Sequence, residues 1–171
     1  MDFDVSLHVI GVVHSTHSSL ATTPIQSSLN RAEHASIEID DRYADGLSGL
    51  AGFDYAWMLT WLHALGEQPA PAPLRHVPFL LQRQQRQMGL FAARGPRRVN
   101  PVGLSLIQLL DVTSPVVRFA GVDVLDGTAV IDLKPYVTRF DRPPGEPRSG
   151  WFDQIELTDG LTPADLAPPQ P

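Results

Sequence analysis

The sequence contains no cysteine, which excludes disulfides, thiol nucleophiles and cysteine-ligated zinc. No apolar run approaches the roughly 18–20 residues that a membrane-spanning helix needs. The opening MDFDV carries two acids where a secretory signal would carry bases, so a cytoplasmic protein without a membrane segment is expected. Nucleotide-binding signatures are missing too. There is no G-x-G-x-x-G after a strand and no G-x-x-x-x-G-K-[ST] loop, and GLSGLAG has the wrong glycine spacing. No G-x-S-x-G elbow occurs. His14 and His17 stand three apart without a cysteine or an acidic partner pattern, so no metal is expected.

Acidic residues are scarce in one place only. The chain carries 13 basic and 19 acidic residues, a net charge of −6. From Arg75 to Arg98 there are six arginines and no Asp or Glu, which leaves 7 basic and 19 acidic residues elsewhere, a net of −12. Such asymmetry marks either an anion-binding face on an acidic body or a solvated basic loop.

What is present reads as mainly β. VSLHVIGVV (Val5–Val13), ASIEID, VGLSLIQLLDV, VVRFAGVDVL and TAVIDLKPYV are rich in β-branched residues, and the last three are separated by the turn signals TSP and DGT. DYAWMLTWLH fits helix or strand, and its aromatics favour strand. LFAAR is a short strand candidate, and FLLQRQQRQMG a short helix or an arm. The 171 residues, 43% hydrophobic, suit one domain with a real core. A single β-barrel with short helices and long loops is expected over residues 1–152, followed by an irregular, acidic, proline-rich tail over 153–171 that frays.

Four groups carry candidate chemistry. Thr23–Gln26 sets a proline-fixed backbone beside an amide. WMLTWLH places Trp57, Leu59, Trp61 and His63 on one strand face, a packed core face on the simplest reading. RGPRRVNPVGLS (Arg94–Ser105) offers Arg94, Arg97, Arg98 and Asn100. LDGTAVIDLKPY holds Asp126-Gly127-Thr128 in a turn, then Asp132, Lys134 and Tyr136 on one strand face.

Taken in order, VIGVVHS, TPIQ, RYADGLSGLAGFDYAWMLTWLH, MGLFAARGPRRVNPVGLS, LDGTAVIDLKPY and PRSGW resemble the TsaA-like family, which includes the TrmO-type tRNA methyltransferases. The resemblance spans Val9 to Trp151. It implies a β-barrel that binds S-adenosylmethionine without a Rossmann fold, acts as a homodimer, and methylates the exocyclic nitrogen of threonylcarbamoyl-adenosine in tRNA. By motif, Pro24, Ile25, Gln26, Leu62, His63, Arg94, Leu104, Asp126, Gly127 and Thr128 are expected to enclose the cofactor. An arginine there can pair with the cofactor carboxylate, and the Asp-Gly-Thr turn can offer amides and an acceptor. Arg97, Arg98, Asn100 and Lys134 are assigned to an anionic substrate. Asp132 and Tyr136 are the candidates for removing the acceptor proton.

The chain departs from the family pattern at Ile25, where the family has arginine, and at Gly95, Arg97 and Val99. Longer bacterial members carry a further C-terminal domain for which this sequence shows no counterpart. Two alternatives therefore stand beside tRNA methylation: a methyltransferase of a smaller acceptor, and a non-catalytic S-adenosylmethionine-binding domain.

Overall fold

The computed structural model describes residues 5–62 and 73–166. Its strands are β1 (Gly11–His14), β2 (His34–Ile39), β3 (Tyr55–Trp61), β4 (Arg75–His76), β5 (Met88–Gly89), β6 (Val102–Thr113), β7 (Val116–Ala120) and β8 (Ala129–Pro135). Six of them close into an antiparallel barrel in the order β1-β2-β7-β6-β3-β8, while β4 and β5 pair as a separate ribbon. Closure gives every barrel strand a neighbour on both sides, although β1 meets β8 only at Gly11–Val130 and Val12–Ala129. β6 joins the two halves. It pairs with β3 as far as Gln108 and with β7 from Gln108 onward, with a register shift between Leu109 and Asp111 that lets it bend.

The barrel interior is filled by alternate residues of each strand. Val13, Ile37, Met58, Ile107, Val117, Phe119 and Val130 are all fully buried. On β3 the inward set is Ala56, Met58 and Thr60, and Trp57, Leu59 and Trp61 are half-buried on the outside. The tryptophan face is therefore not the core face that its size suggests. The barrel accepts small and flexible side chains at these positions, and the indoles cover its outer wall. Against Thr60 lies Gly103 on β6, where a Cβ would collide with the threonine Oγ1.

Several expected elements are shorter than their sequence pattern. Val5–Val13 contributes only its end to β1, and Val5, Leu7 and Val9 before it are exposed and outside any strand. VVRFAGVDVL stops as a strand at Ala120, where Gly121 adopts φ 92° and turns the chain inward. LFAAR is not a strand: Leu90–Ala92 form a 3-10 turn. FLLQRQQRQMG becomes a 3-10 turn at Phe79–Leu81 and then β5. The tail is irregular but docked as far as it is described. Gly160 N donates to Leu29 O at 2.6 Å, and Ala164 N to Ala21 O at 2.9 Å.

Register decides where the loops go. His14 lies opposite Ser36, His34 opposite Ala120, and Trp61 opposite both Val102 and Ala129. The connections 15–33, 62–101 and 121–128 thus all leave the barrel at the same end. Among the described residues no helix is long and apolar enough to cross a membrane.

Replacing the fully buried Phe119 by Ala should lower stability in urea unfolding by about 3–5 kcal/mol, the cost of a large core cavity. A loss under about 1 kcal/mol would contradict this packing.

Candidate active site

A cleft of about 880 Å³ opens where the three connections converge. Pro24, Ile25 and Gln26 come from the first, Arg94, Arg97 and Arg98 from the second, and Asp123 and Thr128 from the third. Leu62 and Leu104 continue the wall along the ends of β3 and β6. The C-terminal segment supports it: Ile25 N donates to Leu161 O at 3.0 Å, and Pro163 reaches the lining.

Asp123 dominates the chemistry of this cleft. It follows the Gly121 turn and is largely enclosed. Ser105 Oγ donates to its Oδ1 at 2.6 Å, and Ser27 N donates to its Oδ2 at 2.9 Å. Burial pushes its pKa up to about 6, against the pull of those two hydrogen bonds and of the positive Arg94. Each carboxylate oxygen accepts one of these bonds and keeps further acceptor capacity. Arg94 is exposed in the cleft and makes no hydrogen bond or ion pair among the described residues. His76, also in the wall, buries its Nδ1 without a partner among them.

The arginine loop is braced from two sides. Arg98 Nη1 donates to Ala93 O at 2.8 Å and to Leu90 O at 3.4 Å. Trp151, stacked on Phe152 at 3.8 Å, donates its Nε1–H to Ala92 O at 2.7 Å. Arg97 remains exposed.

Residues 12–142 match the family model of the tRNA-methyltransferase O N-terminal domain. The chain belongs to this family. A protein of Methanothermobacter thermautotrophicus described as a probable S-adenosyl-L-methionine-binding protein is 36% identical over 140 residues, covering 82% of this chain and 96% of that protein. The tRNA (adenine(37)-N6)-methyltransferase of Escherichia coli is 31% identical over 137 residues, covering 75% of this chain and 56% of the enzyme. The crystal structure of TrmO from Pseudomonas aeruginosa superposes with a TM-score of 0.73 at 27% identity, covering 91% of this chain and 66% of that one. This chain thus spans nearly all of the archaeal relative but less than two thirds of the E. coli enzyme and just under two thirds of the solved TrmO chain.

Within this TrmO-type barrel, seven of the ten expected cofactor residues lie in the cleft wall: Pro24, Ile25, Gln26, Leu62, Arg94, Leu104 and Thr128. His63 lies outside the described residues. Asp126 and Gly127 are not in the wall. Their amides donate to His17 O at 2.8 Å and Val13 O at 2.9 Å, and the Asp126 carboxylate accepts from Ser15 N at 3.1 Å. The turn amides therefore serve the barrel end and are not free for a ligand. Arg97 and Arg98 both line the cleft, but Arg98 is committed to backbone carbonyls, and Asn100 stands outside the wall.

Asp132, Lys134 and Tyr136 are not brought to the cleft. Asp132 lies opposite Leu59 and Lys134 opposite Trp57, on the outer barrel face. There Lys134 pairs with Asp132 at 3.0 Å and Tyr136 meets Trp57 at 6.0 Å between ring centroids. Alternation along β8 puts all three on one face, as expected, but that face is the outer one. The sequence gives little sign of Asp123, which stands before the more visible Asp-Gly-Thr turn. Its one signal is a lone acid inside the apolar run GVDVL.

Folding raises the Asp123 pKa, so its contribution to stability is greatest below about pH 4 and is lost as pH rises through about 6. The stability of the wild type relative to Asp123→Asn should fall over that window and level off above it. A difference independent of pH between 4 and 7 would contradict the enclosed position of this carboxylate.

Proposed function

We propose that the chain is an S-adenosylmethionine-dependent methyltransferase acting on the N6 nitrogen of an adenosine in tRNA, in its finer form threonylcarbamoyl-adenosine. The observation that carries this reading is Asp123, an enclosed carboxylate of raised pKa facing the cleft of a TrmO-type barrel. The names of the relatives, as S-adenosyl-L-methionine-binding proteins and tRNA (adenine(37)-N6)-methyltransferases, support it.

The residues present fit the cofactor. Arg94, unpaired among the described residues, suits its carboxylate in a bidentate pair. Pro24, Ile25, Leu62 and Leu104 supply the apolar wall an adenine requires, and Gln26 an amide at its edge. Bound there, S-adenosylmethionine supplies an electrophilic methyl group on a sulfonium.

The remaining work is done by the chain. Methyl transfer to N6 would require the N6 proton to leave. Asp123 accepts that proton. A carbamoylated N6 is a urea-type N–H, more acidic than an amine, which suits a carboxylate base made stronger by burial. Ser105 and Ser27 hold the carboxylate in one orientation, so that alignment rather than activation of a strong nucleophile carries the rate. Arg97 stands exposed on the lining for a phosphate or for the threonyl carboxylate.

Incubation with methyl-labelled S-adenosylmethionine and tRNA from cells lacking the modification should label a tRNA adenosine. Tight cofactor binding with all RNA left unlabelled would overturn the reading in favour of a smaller acceptor or a binding domain. The rate should rise with pH through about 6. Asp123→Asn should cost roughly 10²–10⁴-fold in turnover with little change in cofactor affinity. Arg94→Ala should do the reverse and weaken cofactor binding about 10–100-fold.

A further inference from the structure

Phe91 is 81% exposed, the most exposed of the large apolar side chains among the described residues, and it lines the cleft beside the arginines. Its backbone is not loose. Leu90 and Ala93 on either side are buried, at 2% and 6% exposure. Leu90 N donates to Leu74 O at 2.9 Å, Ala92 O accepts the Trp151 indole N–H, and Arg98 ties the carbonyls of Leu90 and Ala93 together. Those anchors hold the segment in one conformation while pointing a benzyl group into solvent. That leaves a large apolar ring in water, burial that a fold with room under its loop would normally recover. The loop is built to present the ring.

Charge says what it is presented to. Arg94 and Arg97 lie on the same loop, in a stretch without acids. An aromatic face flanked by guanidinium groups is the arrangement by which proteins hold single-stranded nucleic acid, stacking the base and pairing the phosphate. Size agrees: the cleft of about 880 Å³ lies near the top of the range for small-molecule sites and leaves space beside a single cofactor.

We propose that Phe91 is the stacking platform for an unpaired nucleobase of the RNA substrate, with Arg97 holding the adjoining phosphate. This rests on the reading of the chain as a tRNA methyltransferase, and it adds where the RNA is gripped.

The test compares wild type, Phe91→Ala and Phe91→Trp in three measurements: affinity for S-adenosylmethionine, direct binding of tRNA, and methyl transfer. Phe91→Ala should weaken tRNA binding and raise KM for tRNA by roughly 10- to 100-fold, with cofactor affinity unchanged within about twofold. Phe91→Trp should restore binding. Unchanged tRNA affinity in Phe91→Ala overturns the proposal. A shift in oligomeric state with unchanged tRNA affinity also overturns it, by making the ring a contact between copies of the chain. Direct binding needs no turnover and so separates the two readings. A wild type that binds tRNA through Phe91 but transfers no methyl group would refute methylation and keep the platform. A Phe91→Ala variant that binds tRNA and methylates as well as the wild type would do the opposite.

Discussion

Asp123 accepts hydrogen bonds from the backbone of Ser27 and the hydroxyl of Ser105. It thereby joins the loop after β1, the start of β6 and the turn after β7, three stretches far apart in sequence. An enclosed carboxylate is costly unless its oxygens are satisfied, so the arrangement around it is strongly specified. The same enclosure raises its pKa to about 6. One group thus fixes the geometry of the cleft and supplies its basicity, and moving either serine would disturb both.

The barrel makes this meeting possible. Antiparallel pairing sends the three long connections to one end, and closure protects the strands that carry them. The core needs only alternating apolar residues of suitable volume, with Phe119 and Met58 filling its centre. The loops are held differently, by hydrogen bonds from their own side chains and from the docked C-terminal segment. Arg98 shows how composition misleads here. It belongs to a run of arginines that looks like an anion site, yet its guanidinium braces the loop that exposes Phe91.

Much of this was legible beforehand. A mainly β barrel follows from the β-branched segments, and a non-Rossmann cofactor site from the missing glycine signature together with the family motifs. Seven of the positions assigned to the cofactor do share one cleft. What was not legible depends on which face of a strand turns inward. Trp57 and Trp61 look like core by size but stand outside, and Asp132, Lys134 and Tyr136 share the outer side of the wall with them. Side-chain period gives two faces and does not say which is inner. Of the Asp-Gly-Thr turn only Thr128 lines the cleft, because the amides of Asp126 and Gly127 close the barrel end, and Asp123 beside it enters the cleft. The exposure of Phe91 depends in part on Trp151, which reaches Ala92 O from 59 residues along the chain, and the sequence around Phe91 does not show it.

The most direct measurement is a crystal structure of the protein grown with S-adenosylhomocysteine. Density for the ligand is expected in the cleft, with its carboxylate on Arg94 and its sulfur within reach of a nitrogen acceptor placed beside Asp123. Ligand bound instead in the outer groove lined by His14, His34 and Arg118, or held in the cleft with Asp123 shielded from the sulfur, would contradict the account.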